Sequence, residues 1–226
     1  MSTIKFFALG GLGENGKNMY CLELENKLFI LDAGLKYPST ELFGVDSIIP
    51  DFTYLEENKH KIVGLFLSHG HEDHIGAVPR LLKTMDTLPI YGSHFTLEIL
   101  KDALKDQEMD ESCCQFNEVD SSKVLRFDDI TVEFYRVTHS IPESLGIAIT
   151  TKDGVIVYAP DYNFDQNVDN IYKTEFTKLV EIAGKNVLAL LTESLGAERA
   201  GYTHSSTALD HALEHAFSNA EGRIIV

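Results

Sequence analysis

The sequence has 226 residues, 44% of them hydrophobic, which is enough for one large folded domain with a buried core. Its 19 Lys and Arg residues oppose 35 Asp and Glu residues, so the formal net charge is −16. This balance excludes a surface that holds nucleic acid or anionic lipid by general electrostatic attraction, because such a surface needs clustered basic residues.

The amino-terminal segment MSTIKFFALGG is a short apolar run broken by glycines, too short for a signal-peptide core or a membrane span. The three cysteines follow neither zinc-site nor disulfide spacing, and we interpret them as reduced thiols. We therefore expect a cytoplasmic protein with no membrane partner.

Hydrophobic periodicity and turn residues predict strands alternating with helices. The predicted strand segments are residues 3–9, 18–24, 27–32, 62–68, 88–92, 123–136, 145–151, 154–160 and 186–192. The predicted helices lie near residues 75–84, 94–106, 175–183 and 206–219. Hairpin-rich mixed sheets with helices between them indicate α/β layers with two sheets packed in the middle.

Three imidazoles and a carboxylate occur within six residues directly after the predicted strand 62–68, in His69-Gly70-His71-Glu72-Asp73-His74. Positions i and i+2 of an extended loop project to the same side, so His69 and His71 can face one cation while Asp73 and His74 face a second. Imidazole nitrogen and carboxylate oxygen suit Zn²⁺ or Mn²⁺. The alternative, a solvated polar loop, gives no packing reason for these residues to gather at the end of a central strand.

Two further ligand candidates also follow predicted strands. His139 lies in Val-Thr-His-Ser after one of them, and Asp161 lies in Ala-Pro-Asp-Tyr after another. A carboxylate at Asp161 can bridge two metals through its two oxygens. The sequence therefore predicts a metal centre built from several strand ends.

Other motifs favour structural roles. Residues 11–16 satisfy G-x-G-x-x-G, but a strand rather than a helix is predicted after them, so a hairpin turn beside the metal site is favoured over a dinucleotide site. His211 and His215 stand at i and i+4 without a third ligand nearby in sequence, which favours solvated helix positions. The eight acids and two lysines of residues 98–120 indicate a solvated face, with an acidic docking surface as the open alternative.

The H-x-H-x-D-H signature, with Asp32 after an upstream strand and a later lone His and lone Asp, resembles the metallo-β-lactamase superfamily. Longer stretches resemble bacterial ribonuclease J of the β-CASP group. These stretches are GGLGENGKNMY at 10–20, LDAGLKYP at 31–38, DSIIP at 46–50, FLSHGHEDHIGAVP at 66–79 and THSIPES at 138–144. The resemblance implies an αββα sandwich, two mixed sheets flanked by helices, incomplete at its carboxyl terminus.

The resemblance also implies roles for individual residues. His69, His71 and His139 would hold one zinc, Asp73 and His74 the other, and Asp161 would bridge the two. Asp32 would orient the ligand loop, and Asp73 is also the candidate for proton transfer. Glu193 falls where the β-CASP group has its first acidic motif, although the ribonuclease J pattern there usually has Asp.

By resemblance, the protein is expected to be a di-zinc metallo-hydrolase: a 5′-to-3′ exoribonuclease with endonuclease ability. It would use hydroxide activated by two Zn²⁺, or Mn²⁺, on the phosphodiester in RNA turnover and ribosomal RNA maturation. The intact protein would be a homo- or hetero-oligomer. The alternatives are another hydrolase of the superfamily, such as a thioesterase, lactonase or β-lactamase, or a weakly active structural paralogue in a ribonuclease complex.

The sequence departs from the family in two places. Pro160 stands where a Gly commonly precedes the bridging Asp, and no His follows His215 to complete the second metal site. We therefore expect an amino-terminal fragment, with residues 1–203 as the first part of the metallo-β-lactamase domain and 204–226 as the start of a β-CASP domain. The fragment itself is expected to be poorly active, and RNA is expected to bind mainly through the missing β-CASP part.

Overall fold

The computed structural model describes residues 3–39, 42–109, 112, 114–202 and 206–225. Its strands are β1 Ile4–Gly10, β2 Met19–Leu24, β3 Lys27–Leu31, β4 Ile62–Phe66, β5 Leu88–Gly92, β6 Cys114–Glu118, β7 Val124–Phe127, β8 Ile130–Arg136, β9 Leu145–Thr151, β10 Gly154–Ala159 and β11 Val187–Thr192. Its α-helices are α1 Thr53–Glu57, α2 Glu72–Ile75, α3 Val78–Leu82, α4 His94–Asp106, α5 Phe176–Ala183 and α6 Ser206–Ser218. Single 3-10 turns lie at Lys59–Lys61 and Asn170–Tyr172.

The strands form two mixed sheets. The first has the order β1-β2-β3-β4-β5-β6; its β1-β2-β3 meander is antiparallel and its remaining pairs are parallel. The second has the order β11-β10-β9-β8-β7, and only its β10-β11 pair is parallel. Strands β8, β10 and β11 therefore run in the same direction and end at the same edge of the second sheet.

The strands of the first sheet alternate between two cores. In β3, Leu28 and Ile30 face a core that they share with α3 and α4, whereas Phe29 and Leu31 face the second sheet. Both faces of the strand are covered, which explains why its sequence is apolar throughout. A third, smaller core joins the outer face of the second sheet to Ile182 of α5. The layers are thus helix, sheet, sheet, helix, and the predicted αββα sandwich is confirmed.

The predicted helix over residues 75–84 is wrong in detail, since the chain there forms α2 and α3 with a break between them. Gly76 ends α2, and Pro79 lies in the first turn of α3. Proline is tolerated in a first turn, where its missing N–H has no intrahelical partner, but it does not continue a preceding helix. The break at Gly76 and Ala77 lies directly after the predicted metal loop.

At the carboxyl end, the residues of α6 whose burial is described are all exposed. The predicted domain boundary between positions 203 and 204 lies outside the described residues, so the division into two domains stays a prediction. Within the described ranges, none of the helices is both long and apolar enough to cross a bilayer.

Candidate metal centre

The predicted site residues meet where strands of both sheets end. Asp32 directly follows β3, the histidine-rich loop begins at His69, three residues after the end of β4, His139 follows β8 and Asp161 follows β10. The two sheets pack face to face, so these strand ends form one rim. Backbone bonds fix the loops to each other: Asp32 N donates to Phe66 O at 3.0 Å and Ala33 N donates to His74 O at 2.7 Å.

Asp32 is the buried anchor of this rim, with 0% of its surface exposed and a left-handed backbone conformation (φ 58°). Its Oδ1 accepts a hydrogen bond from Ser68 N at 2.8 Å. Its Oδ2 faces three further groups, Ser68 Oγ at 2.8 Å, Tyr158 Oη at 2.7 Å and His74 Nδ1 at 2.8 Å. A buried carboxylate needs such donors, because an unpaired charge in the interior is costly.

These bonds fix the tautomers of two histidines. Asp32 accepts a hydrogen bond from His74 Nδ1, so Nδ1 carries a proton and His74 Nε2 faces the site. Ser68 uses its single hydroxyl proton on Asp32, so at its 3.0 Å contact with His69 Nδ1 the hydroxyl accepts and the imidazole donates. His69 Nε2 is then left with its lone pair. One buried carboxylate therefore orients two imidazoles so that their Nε2 atoms face the rim.

The first donor group consists of His69, His71, His139 and Asp161, whose ligand atoms all lie within 4.8 Å of one another. His71 Nδ1 lies 3.0 Å from His69 Nε2 and 3.0 Å from His139 Nε2. Nitrogen ligands about 2.0–2.1 Å from a tetrahedral zinc stand roughly 3.3 Å apart. The three imidazoles therefore converge with a spacing that suits one zinc ion.

The second donor group consists of Asp73, His74 and Asp161. His74 Nε2 lies 3.6 Å from Asp73 Oδ2 and 3.6 Å from Asp161 Oδ2. The same Asp161 oxygen lies 3.7 Å from His69 Nε2 and 3.5 Å from His139 Nε2. Asp161 thus belongs to both groups, which is the position that a bridging carboxylate requires. The donors fit two divalent cations, although their roles as ligands stay predictions.

The pKa values of the rim histidines shift in two opposite directions. Burial, followed by the neighbouring imidazoles, lowers the pKa of His69, and burial also lowers the pKa of His139. Burial opposes protonation of His74 as well, but the Asp32 and Asp161 carboxylates outweigh it and raise the His74 pKa to about 10. Burial acts to raise the pKa of Asp161, yet contact with His74 and the other imidazoles lowers it. His69 and His139 therefore favour the neutral form, whereas His74 lies where positive charge is stabilised.

A cleft of about 870 Å³ opens onto Asp73, His74 and Asp161. The glycine-rich loop 11–16 forms one wall, which agrees with its interpretation as a turn beside the metal site, because a strand and not a helix follows it. Residues 193–199 also line the cleft. The cleft gives a substrate access to the second donor group.

Glu193 follows β11 and lines this cleft without belonging to either donor group. Its Oε1 accepts a hydrogen bond from Tyr162 N at 3.1 Å. Burial raises the pKa of the Glu193 carboxyl, and the charge of Asp161 acts in the same direction. Its assignment to an acidic β-CASP motif stays a prediction.

The structure adds residues to the site that the motifs do not single out. Ser68 and Tyr158 share Asp32 with His74, and Asn18 lies against Asp73 and His74. Tyr158 carried a usable signal, because a tyrosine in an otherwise apolar buried strand needs a partner for its hydroxyl. His211 and His215 lie on the exposed helix α6, away from both donor groups, as expected of solvated positions.

Comparison with known proteins identifies the family. A family model described as a beta-lactamase superfamily domain matches residues 30–204. Ribonuclease J 2 of Streptococcus pyogenes serotype M3 is 45% identical over 226 residues, which is 100% of this chain and 41% of that protein. Ribonuclease J 2 of Staphylococcus aureus strain MRSA252 is 40% identical over 223 residues, 99% of this chain and 40% of that protein. The chain thus spans about 40% of the length of these curated relatives.

Among solved structures, a crystal structure from Enterococcus faecalis V583 superposes with a TM-score of 0.68 over 97% of this chain and 58% of its own, at 16% identity. At that identity the likeness concerns the fold alone. The chain belongs to the β-lactamase superfamily, and its resemblance to ribonuclease J is confirmed by relatives of that name along its whole length.

Proposed function

We propose that this chain carries the metal centre of a ribonuclease that cleaves phosphodiester bonds in RNA, acting as a 5′-to-3′ exonuclease with endonuclease ability. RNA turnover and ribosomal RNA maturation in the cytoplasm would be its setting. The observation that carries the proposal is the membership of Asp161 in two donor groups beneath an open cleft. The similarity to proteins named Ribonuclease J 2 supports the choice of RNA as substrate.

In this proposal His69, His71 and His139 would hold one Zn²⁺, Asp73 and His74 would hold the other, and Asp161 would contribute to both sites. When bound, two such ions supply Lewis acidity and activate water at neutral pH, and Mn²⁺ suits the same donors. Asp32 keeps the protons of His74 and, through Ser68, of His69 on the nitrogens that face away from the cations. The Asp73 side chain is 37% exposed, so it has access to the cleft and can accept or pass on a proton there.

The described part of the cleft offers little to hold a polyanion. Arg199 is the one Lys or Arg among the described residues that line it, and nearby Lys17 and Lys36 are paired with Glu14 at 3.2 and 3.1 Å. We therefore assign most of the RNA-binding surface to a β-CASP portion of the full-length protein, which would begin near residue 204. Residues 1–203 would then belong to the metallo-β-lactamase domain, and the intact protein would act as an oligomer.

The test is turnover by the intact protein on 5′-monophosphorylated RNA, compared with a thioester and a lactone. We expect RNA cleavage that a chelator stops and Zn²⁺ or Mn²⁺ restores. His71→Ala is expected to lower the rate at least about 100-fold, because it removes a ligand at the convergence of three imidazoles. His60→Ala is the matched control, since His60 is exposed and outside both donor groups.

Thioester or lactone turnover without RNA cleavage would assign the centre to another hydrolase of the superfamily and refute the proposal. An intact protein that turns over none of the three substrates, while it binds an active ribonuclease partner, would instead make it a structural paralogue.

A further inference from the structure

We propose that Asn18, oriented by Tyr20, is the positioning residue for the Asp73 and His74 half of the metal centre. This inference rests on the proposed two-metal centre and adds a residue to it. Asn18 lies between the glycine-rich loop and β2, away in sequence from every candidate ligand. Its role depends on contacts that only the fold creates.

The amide of Asn18 meets both predicted ligands of the second cation. Its Nδ2 lies 3.4 Å from Asp73 Oδ2 and 3.2 Å from His74 Nε2. A carboxylate oxygen only accepts hydrogen bonds, so the NH₂ end of the amide must be the end that faces Asp73. When His74 Nε2 gives its lone pair to a cation, Asp73 remains as the acceptor for Asn18, and the amide then holds that carboxylate in place.

Tyr20 sets the orientation of the amide. With the NH₂ group turned towards Asp73, Asn18 Oδ1 faces Tyr20 Oη at 3.0 Å, and the hydroxyl donates to it. The same hydroxyl lies 3.3 Å from Gly11 O, a longer contact. The Tyr20 ring also stacks on Phe6, with centroids 5.9 Å apart. A rigid aromatic side chain thus fixes which end of the Asn18 amide points at the metal ligands.

The backbone of Asn18 is tied to the same two loops. Asn18 N donates to Asp73 O at 3.0 Å, and Gly34 N donates to Asn18 O at 2.8 Å. Gly11 leaves the space for the side chains: a Cβ there would lie 2.5 Å from Tyr20 Oη and 2.7 Å from Asn18 Oδ1, at a φ of +83°. The first glycine of the G-x-G-x-x-G pattern therefore makes room for the Tyr20–Asn18 hydrogen bond.

The experiment is a titration of the metal-free intact protein with Zn²⁺, followed by calorimetry, and with Co²⁺, followed by its visible absorption. We expect Asn18→Ala to bind the ion of the His69 group with an affinity within about twofold of wild type. We expect it to bind the second ion, that of Asp73 and His74, about 10- to 100-fold more weakly, as is typical when an outer-sphere partner of a ligand is lost. Tyr20→Phe keeps the ring, removes only the hydroxyl, and is expected to change the second affinity in the same direction by less. Asn58→Ala is the control, because the Asn58 amide donates to Tyr54 O at 2.9 Å, outside the centre.

The outcomes separate this inference from the proposed function. Wild-type protein that takes up no second ion overturns the two-metal centre and this inference with it. Two ions bound by wild type and bound equally well by folded Asn18→Ala overturn the inference alone. Equal weakening of both sites in Asn18→Ala would also overturn it, since general loosening is not positioning. If Asn18→Ala does not fold, Tyr20→Phe decides, and an unchanged second affinity in that variant overturns the inference.

Discussion

Replacement of Asp32 by Asn tests whether one buried carboxylate organises the centre. The amide is nearly the same size, but it must place an NH₂ group where one carboxylate oxygen stood. If the NH₂ group replaces Oδ1, it confronts the N–H of Ser68, and one buried donor loses its partner. If it replaces Oδ2, it confronts His74 Nδ1, whose proton must move to Nε2 and block that nitrogen as a ligand.

The magnitude follows from these contacts. An unsatisfied buried donor costs about 1–3 kcal/mol, and hydrogen bonds to a charged group contribute about 1.5–3 kcal/mol each against about 0.5–1.5 kcal/mol for neutral ones. We expect Asp32→Asn to lower the free energy of unfolding by about 3–5 kcal/mol in the first orientation. In either orientation we expect zinc to bind about 10- to 100-fold more weakly.

Urea unfolding and zinc titration of the same preparations measure both effects. Asp120→Asn is the control, because Asp120 is exposed and accepts bonds from Ser122 N at 2.8 Å and Ser122 Oγ at 2.5 Å, so it should lose less than about 1 kcal/mol. If Asp32→Asn is as stable as Asp120→Asn and binds zinc like wild type, the role assigned to Asp32 is refuted.

Two further predictions concern packing and pH. Gly34→Ala would place a Cβ 1.6 Å from Asp73 O, so the loop 69–74 must shift, and we expect the free energy of unfolding to fall by about 3 kcal/mol or more in thermal or urea unfolding. Gly222→Ala is the control, because a Cβ there has nothing within 4 Å and should change stability little. Equal stability of the two variants would contradict the close approach of Gly34 to Asp73. Buried Glu23 accepts bonds from Lys61, Tyr54 and Lys5, and the Lys61 contact, followed by that of Tyr54, lowers its pKa from 4.5 to about 2. Because the folded-state pKa lies below the unfolded value, this contribution, on the order of 3 kcal/mol, is present above about pH 4.5 and is lost as the pH falls towards about 2. The stability difference between wild type and Glu23→Gln should therefore shrink over that range, and a difference that stays constant with pH would argue against the shift.

The candidate ligands could be proposed from the sequence because most of them are contiguous. His69, His71, Asp73 and His74 occupy one loop, and the remaining two follow strand ends that both sheets bring to one rim. Motif spacing does not assign the roles of Ser68, Tyr158 and Asn18, because each depends on a contact with another segment; the tyrosine in an apolar strand indicates only that some partner is needed. The Tyr158 hydroxyl, for example, meets an aspartate that lies 126 positions away in the chain.

The elements of the fold likewise differ in whether the local sequence pattern or contacts between segments determine them. Helix α4 has the bounds that its periodicity predicts, and Ser93 at its N-cap accepts from Thr96 N. Strand β6 was missed because its sequence, CQFNE, alternates weakly and becomes a strand by pairing with the edge of β5. The short helix α1 was also missed, since Leu55 is the only residue of its five that is buried. The local sequence pattern is sufficient to predict an element that buries a full face. It is insufficient where pairing with a neighbouring strand determines the structure.

The net charge of −16 opposes the approach of an anionic substrate, and bound cations at the metal centre would offset this repulsion locally. Asp32, Asp73 and Asp161 place three carboxylates within one small region, and burial makes their mutual repulsion stronger than it would be in water. Two divalent cations would supply four positive charges there, so the rim would change from a place that repels phosphate to one that attracts it. The attraction would be confined to the cleft, because the surrounding acidic surface opposes it at longer range. A chain with this charge would therefore bind one phosphodiester at the cations, whereas other surfaces would bind the rest of the RNA.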